Sequence, residues 1–312
     1  MKQKLKICLI GTGSLGTALS YLILQNKHQL DVYEPNQKNL HQFLTHKKIS
    51  KFPNLNPIEN FQKCFSKQYN YVIPCIPSKN IDSFYQIFFQ KSQKTSHIIS
   101  ISKGLYPNSL QTISQKLSEK IPHQKISVLS GPTFANEILS DIPTCCTIAT
   151  HSTKRYNQIK EIFNTKNFNC TYSNNIIATE LGGILKNCYA ITLGILDQHT
   201  GMNTKSAAII KIINEVTQLY KSIKIPQTQA YSLSFLGDLV ATGLNPESRN
   251  TQFGKQLKSK KNTTIEGADN LLPMIKFASK YHINLTILKL TSQIISHPQK
   301  TKIQKLTDHI IN

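Results

Sequence analysis

Acidic side chains are scarce in this chain: 16 Asp and Glu stand against 37 Lys and Arg in 312 residues, a formal net charge of +21. A field of that sign draws anions of every kind, from nucleic acid and anionic lipid to small phosphorylated substrates. The lysines are spread along the whole chain, with only short clusters such as Lys258, Lys260 and Lys261. That distribution fits a solvated surface better than a nucleic-acid stripe. No run approaches the ~18 uninterrupted apolar residues of a membrane span, so a transmembrane protein is not expected. No Cys-x-x-Cys occurs, and the cysteines (Cys8, Cys64, Cys75, Cys145, Cys146, Cys170 and Cys188) are odd in number. A disulfide framework and a zinc site are therefore disfavoured, and a reducing cytoplasm is expected. No cluster of His, Cys and carboxylates has metal-ligand spacing, so no metal is expected. Internal repeats and low-complexity linkers are missing as well. The basic opening from Met1 to Lys6 followed by apolar residues imitates a signal peptide, but glycines interrupt the apolar part. The same residues make better sense as a strand and a phosphate loop, and no cleavage is expected.

Hydrophobic residues make up 39% of the chain, including 12 Tyr and 13 Phe, which is enough to build a core. The length suggests two domains. Short apolar runs alternate with helical-period segments through the first half. Leu5–Ile10, Leu30–Glu34, Tyr71–Ile76, His97–Ile101, Ile126–Leu129 and Cys145–Ala149 read as strands, and Phe168–Tyr172 as an edge strand. Between them, sets such as Leu15, Leu19, Leu22 and Ile23 recur at helical spacing. This alternation predicts βαβ units and a mostly parallel sheet. Beyond residue 176 only long helical periodicities remain. The expected architecture is a doubly wound α/β domain of the Rossmann type over 1–176, followed by an all-helical domain over 177–312.

Gly11-Thr12-Gly13-Ser14-Leu15-Gly16 is G-x-G-x-x-G, directly after a strand and opening a helix. Gly11 permits the tight turn, Gly13 lets main chain approach a pyrophosphate, and Gly16 allows close helix–strand packing. The free N–H groups and positive dipole end of the helix would receive the phosphates. Glu34, 18 residues past Gly16, ends the second strand. An acid there accepts from ribose hydroxyls and repels a 2′-phosphate, which favours NAD over NADP; the alternative is a solvent-facing turn residue.

Four further segments place polar groups in apolar or small-residue surroundings. Ser102-Lys103-Gly104 follows a strand, which puts Lys103 at the carboxyl edge of the sheet, where such folds bind ligands. Leu129 to Glu137 makes a second strand-to-helix turn at that edge, with Gly131 exposing backbone and Thr133 offering a hydroxyl. In Glu180-Leu181-Gly182-Gly183-Ile184-Leu185-Lys186-Asn187, a helix would set Gly182, Gly183 and Ala190 on the face of Lys186. Small residues there leave room either for another molecule at the amine or for close helix packing with Lys186 snorkelling outward. Finally, Gly237-Asp238 precedes Ser248-Arg249-Asn250. Arg249 suits bidentate grip of a phosphate, with Ser248 and Asn250 completing the contacts; the alternative is a polar helix cap.

Taken in order, these segments resemble the bacterial NAD(P)-dependent glycerol-3-phosphate dehydrogenases. The resemblance rests on GTGSLGTAL from Gly11, IPCIPS from Ile73, SKGL from Ser102, LSGPTFANE from Leu129, ELGGILKN from Glu180, NTKSAA from Asn203, GDL from Gly237, SRN from Ser248 and IEG from Ile265. It spans almost the whole chain, and SGPTFA, ELGG-x-LKN and SRN are far more specific than the glycine fingerprint. The resemblance implies NAD(P)H-dependent reduction of dihydroxyacetone phosphate to sn-glycerol 3-phosphate for phospholipid synthesis, with Lys186 as proton donor or acceptor. Lys103 would polarise the substrate oxygen, and Asp238 would hold Lys186 or bind a substrate hydroxyl. Gly131, Thr133, Ser248, Arg249 and Asn250 would line the substrate site. Arg249 would also meet the dinucleotide, alongside Ser14, Leu15, Lys103, Ala135, Thr264 and Glu266. A homodimer and no nucleic-acid partner are expected.

The chain departs from the family pattern at a few positions. Leu15 stands where bacterial members usually carry an aromatic, and Ile209-Ile210-Lys211 replaces a common L-I-T-R. Pro35 and Asn36 stand where NADP-using relatives often show arginine, which again points to NAD. Two rival readings remain: another two-domain reductase of the ketopantoate or hydroxyacid type, and a non-catalytic dinucleotide sensor that binds nucleic acid. His199 near Asp197 reads as a solvated turn rather than a relay, and Cys145-Cys146 as core.

Overall fold

The computed structural model describes residues 4–66, 68–77, 80–91, 96–106, 109–257 and 265–312. The chain divides into two compact units, but not by a single cut. The first comprises Met1–Ser102 and Gln111–Ile177, and the second Lys103–Leu110 and Ala178–Asn312. Lys103, which the sequence pattern groups with the sheet, thus belongs to the helical unit.

Eight strands form the sheet of the first unit: β1 (Lys6–Ile10), β2 (Gln29–Tyr33), β3 (Leu55–Ile58), β4 (Tyr71–Pro74), β5 (His97–Ser100), β6 (Ile126–Ser130), β7 (Thr144–Ala149) and β8 (Phe168–Ser173). Their order is β3-β2-β1-β4-β5-β6-β7-β8. All pairings are parallel except β6 with β7. The doubly wound, mostly parallel sheet expected from the sequence is present. The central strands are apolar on both faces, as in KICLI and YVIP, because helices cover both sides of a parallel sheet. Ile7, Leu9, Val32, Ile73 and Ile99 pack in one core with Leu19, Leu22 and Ile23 of the helix Ser14–Gln25.

Strand β3 is absent from the sequence reading. Its LNPI sequence carries an asparagine and a proline, Pro57, which lacks a ladder donor. Such a strand is tolerated only at an edge, and β3 is the edge strand beside β2. Strand β8 closes the opposite edge, as the sequence suggested. There Cys146 and Cys170 face each other as free thiols, with their sulfurs 3.6 Å apart.

Among the described residues every regular element of the second unit is a helix. Its centre is the helix Ile176–His199, buried on all sides until its last turn. A helix hydrophobic all round belongs in a core, so its few buried polar residues, Lys186 and Asn187 among them, are the informative ones. The helix Arg249–Gln256 crosses it at very short range. A Cβ on Gly194 would lie 2.1 Å from the Thr251 carbonyl oxygen, and one on Gly254 2.1 Å from that of Ile191. Two glycines therefore set how closely the SRN segment lies against the lysine helix.

Candidate active site

The glycine loop is fixed by sterics. Gly11 has φ of +99°, and a Cβ there would sit 2.4 Å from the Cys75 carbonyl oxygen; a Cβ on Gly16 would sit 2.1 Å from that of Gly11. Neither position admits alanine without moving main chain. Gly13 differs: an added Cβ meets nothing within 4 Å among the described residues. The loop is tight underneath and open on top, where the exposed Ser14 and half-buried Leu15 begin the helix. This shape suits a pyrophosphate resting on main-chain N–H groups.

Glu34 is 8% exposed and holds the loop directly. Its Oε2 accepts from the Thr12 main-chain N–H at 2.8 Å and the Thr12 hydroxyl at 3.0 Å, while Oε1 accepts from Asn36 N–H at 3.1 Å. It is therefore not a solvent-facing turn residue. Asn36, in turn, caps the helix Gln37–Leu44 by accepting from Asn39 N–H at 3.0 Å. At the end of β6, Gly131 is buried, and the Thr133 hydroxyl donates to the Gly131 carbonyl at 3.2 Å. Ala135 opens the short helix Ala135–Leu139.

The second unit brings Lys103, Lys186 and Asp238 together. Lys186 is buried, and its Nζ donates to Asp238 Oδ1 at 2.8 Å and to Thr242 Oγ1 at 2.9 Å. Lys103 Nζ takes the other carboxylate oxygen, Oδ2, at 3.3 Å. Asp238 heads the helix Asp238–Gly243, whose dipole favours a carboxylate in the first turn. Thr242, one turn on, donates to Asp238 Oδ1 at 3.1 Å. The buried Lys186 and the half-buried Lys103 thus share one buried carboxylate.

This arrangement drives the two lysines apart. Burial, helped by the Lys103 cation and opposed by Asp238, lowers Lys186 from 10.5 to about 8. Burial also acts against charge on Lys103, but the Asp238 and Glu266 carboxylates outweigh it and hold Lys103 above the ordinary lysine value. One amine is poised to exchange a proton near neutrality and the other stays cationic, the division that assigns acid–base roles.

A second layer braces the cluster. Asn187 Nδ2 donates to Glu266 Oε2 at 3.3 Å; Asn250 Nδ2 donates to Asn187 Oδ1 at 2.9 Å, and its Oδ1 accepts from Gly267 N–H at 3.0 Å. Both ends of the Asn250 amide are thereby engaged with the protein. Ser248 is buried and caps the helix Arg249–Gln256 through Thr251 N–H. Arg249 is exposed and makes no ion pair among the described residues.

Gly182 does not leave space for a ligand. A Cβ there would lie 3.1 Å from Phe235 Cβ and from the Ser234 carbonyl oxygen, so this glycine admits the turn Leu233–Gly237 that delivers Asp238. Lys186 does not snorkel outward either, because Asp238 and Thr242 hold it inside. Thr264, together with Lys258, Lys260 and Lys261, lies outside the described residues. Asp197 pairs with Lys205 and Lys255 rather than with His199. Among the described residues no three metal-ligating side chains cluster. The sequence reading missed Thr242, whose spacing of one helical turn from Asp238 was the available signal, and Asn187, which sits beside Lys186 in the LKN motif.

The family model for the N-terminus of NAD-dependent glycerol-3-phosphate dehydrogenase matches residues 6–156, and that for the C-terminus matches residues 175–305. A glycerol-3-phosphate dehydrogenase (NAD(P)+) of Fusobacterium nucleatum is 29% identical over 311 residues, covering 93% of this chain and 92% of the relative. Among solved structures, the glycerol-3-phosphate dehydrogenase of Coxiella burnetii is similar with a TM-score of 0.88 at 21% identity, covering 99% of both chains. A ketopantoate reductase of Ralstonia eutropha has a TM-score of 0.63 at 12% identity, covering 98% of this chain and 100% of that one. At these identities the solved structures attest the fold alone.

Proposed function

The chain belongs to the NAD-dependent glycerol-3-phosphate dehydrogenase family, and from that premise we propose how its residues divide the reaction. It is an NAD(P)-dependent oxidoreductase that interconverts dihydroxyacetone phosphate and sn-glycerol 3-phosphate, the latter for glycerophospholipid synthesis. The first unit serves as the dinucleotide domain, with Gly11, Gly13, Ser14, Leu15 and Gly16 receiving the pyrophosphate. The open space above Gly13 supports this reading. Glu34 accepts from the ribose hydroxyls in addition to Thr12, and its charge disfavours a 2′-phosphate, so NAD is preferred. Ala135, Arg249, Glu266 and Lys103 complete the cofactor contacts. Bound NAD(P)H supplies the hydride to the ketone carbon.

The second unit supplies the proton chemistry, and the Lys186–Asp238–Lys103 cluster is the observation that carries the reading. Lys186 donates a proton to the substrate oxygen during reduction and takes it back during oxidation. Lys103 stays charged and polarises that oxygen. Asp238 is the counter-ion of both lysines, the role favoured by its two ion pairs over binding a substrate hydroxyl. Arg249, exposed at the start of its helix and without an ion pair among the described residues, grips the phosphate, with Ser248 and Asn250 holding that helix in place and Gly131 and Thr133 as further substrate contacts. We place the enzyme in the cytoplasm as a homodimer; no helix among the described residues is long and apolar enough to cross a membrane.

The decisive experiment follows 340 nm absorbance with dihydroxyacetone phosphate, using NADH and NADPH in parallel, beside Lys186→Ala. Turnover favouring NADH is expected, lost by a factor of about 10³ or more in the variant. Because Lys186 must be protonated to donate, the reduction rate should fall as pH rises through about 8. Folded, dinucleotide-binding protein without turnover would sink the substrate assignment. Faster turnover with NADPH would overturn only the reading of Glu34.

A further inference from the structure

One buried polar side chain of the helical unit has no part in the chemistry above. Asn270 is 5% exposed, in the second turn of the helix Glu266–Ser279. Its Nδ2 donates to the carbonyl oxygens of Lys103 at 3.1 Å and Glu266 at 2.8 Å, and its Oδ1 accepts from Leu105 N–H at 3.3 Å. The two amide protons are both used, and the carbonyl end meets main chain. A buried amide so satisfied is a rigid element, and removing it leaves main-chain groups without partners.

The segment that it grips needs such an anchor. Lys103–Leu110 belongs to the second unit while its sequence neighbours on both sides belong to the first. Around Lys103 the chain is neither helix nor strand, so no ladder fixes its register. Leu105 and Tyr106 are buried, which holds the segment to the unit without setting where Lys103 points. At the far end Lys280 Nζ donates to the Ser109 carbonyl at 3.5 Å. A side-chain amide offers a donor and an acceptor at the spacing of a peptide group. Asn270 therefore stands in for a neighbouring strand, pairing with the chain on both sides of Gly104, the residue most free to rotate.

We infer that Asn270 is a positioning residue for the reaction: by clasping Lys103 and Leu105 across Gly104, it keeps the Lys103 ammonium on Asp238 and beside Lys186. The inference rests on the proposed role of Lys186 as proton carrier. The charged groups around the two amines are few. Lys186 faces Asp238 and Lys103, with the Thr242 hydroxyl as a neutral partner, and Lys103 faces Asp238, Glu266 and Lys186. When the clasp is lost, Lys103 swings away and Lys186 loses a neighbouring cation while gaining access to water. Both changes raise its affinity for a proton.

The test compares Asn270→Ala, which also removes volume, with Asn270→Leu, which keeps the volume and removes all three hydrogen bonds. Competitive acylation of lysine amines across pH, resolved by peptide mass spectrometry, reads the titration of Lys186 without requiring turnover. Hydrogen exchange of the peptide containing Leu105 reads the clasp. In both variants Leu105 N–H should exchange about tenfold faster or more, and the Lys186 midpoint should climb from about 8 toward 10.5. The pH limb of kcat should move with it, and kcat should fall about tenfold. Lys103→Met should reproduce the shift without the change in exchange. A Lys186 midpoint that stays near 8 in both variants overturns the inference, whatever kcat does, as does a shift without faster exchange at Leu105. Retained turnover in Lys186→Ala would instead overturn the proposed proton carrier and leave the labelling result standing.

Discussion

In the glycine loop of the first unit, the deciding contacts are made by main chain or to main chain. Gly16 packs on the Gly11 carbonyl, and Glu34 binds Thr12 N–H. In the lysine cluster of the second unit, the deciding contacts join side chains from segments far apart in sequence, Lys103, Lys186 and Asp238–Thr242. The first site is a shape that exists because side chains are missing. The second is a charge balance that exists because a buried carboxylate is shared by a buried lysine and a half-buried one. The loop should therefore respond to added volume and ignore pH, whereas the cluster should respond to removed charge and follow pH closely.

The largest effect should come from Asp238→Asn, which keeps the shape and removes the one anion between two cations. Breaking a buried pair by neutralising one partner costs on the order of 3–5 kcal/mol. Stability should fall by that amount in denaturant titration, and kcat by about 10³ or more. Because Asp238 is what raises Lys186 against burial, the kcat limb should move below about 8, opposite in direction to the Asn270 variants. An unmoved or upward limb would show that Asp238 does not set the proton affinity of Lys186.

The loop is sharpened by two alanines three residues apart. Gly16→Ala should cost about 2–3 kcal/mol of stability, since its methyl collides with main chain rather than with a movable side chain. Dinucleotide affinity should be lost with it. Gly13→Ala should leave the melting temperature within about 1 °C, because its methyl meets no protein atom. It should nonetheless weaken dinucleotide binding about tenfold or more, measured by quenching or calorimetry. Normal binding by Gly13→Ala would remove the loop from the pyrophosphate site.

The same contrast explains what could be read from sequence. G-x-G-x-x-G after a strand is a local pattern, and its three glycines behave in the fold as their spacing suggests. Most strands were legible because apolar runs between turn residues are local too. Strand β3 was not, since LNPI has neither alternation nor a full apolar run and is a strand only because β2 pairs with it. In the helical unit, locality fails. Gly182 reads as an open position beside a lysine, yet a turn more than fifty residues away fills the space. Lys103 reads as part of the sheet domain and is claimed by the other unit. Asn270, Gly194 and Gly254 carry no local signal, because what they do is decided by which chain segment arrives opposite them. Resemblance to a family supplied the lysine cluster; residue pattern alone left Lys186 undecided between ligand and packing.

The smallest effect tests whether the helical unit tolerates a largely buried carboxyl that has no cation partner among the described residues. Glu215 accepts from Tyr189 OH at 2.9 Å and from Ile287 N–H at 2.7 Å, the latter at the start of the helix Thr286–Ser296. Burial nonetheless raises it from 4.5 to about 7 against those hydrogen bonds. Asp238, buried at least as deeply, has two lysines; Glu215 has a phenol and a helix end. A carboxyl with a raised folded pKa holds its proton in the native state between 4.5 and about 7, where the unfolded chain releases it. Its contribution is present in full below 4.5 and is lost as pH rises through about 7, on the order of 3 kcal/mol. His97, buried and lowered to about 3, works the other way, adding stability as pH climbs to 6.5. The wild-type slope mixes the two, so the difference between wild type and Glu215→Gln isolates the carboxyl. The amide keeps an acceptor for Ile287 N–H and cannot ionise. Thermal unfolding at pH 5 and pH 7.5 should show the variant gaining relative to wild type at the higher pH. Parallel curves would mean that Tyr189 and the helix end compensate the charge, and that this unit needs no cation to bury an anion.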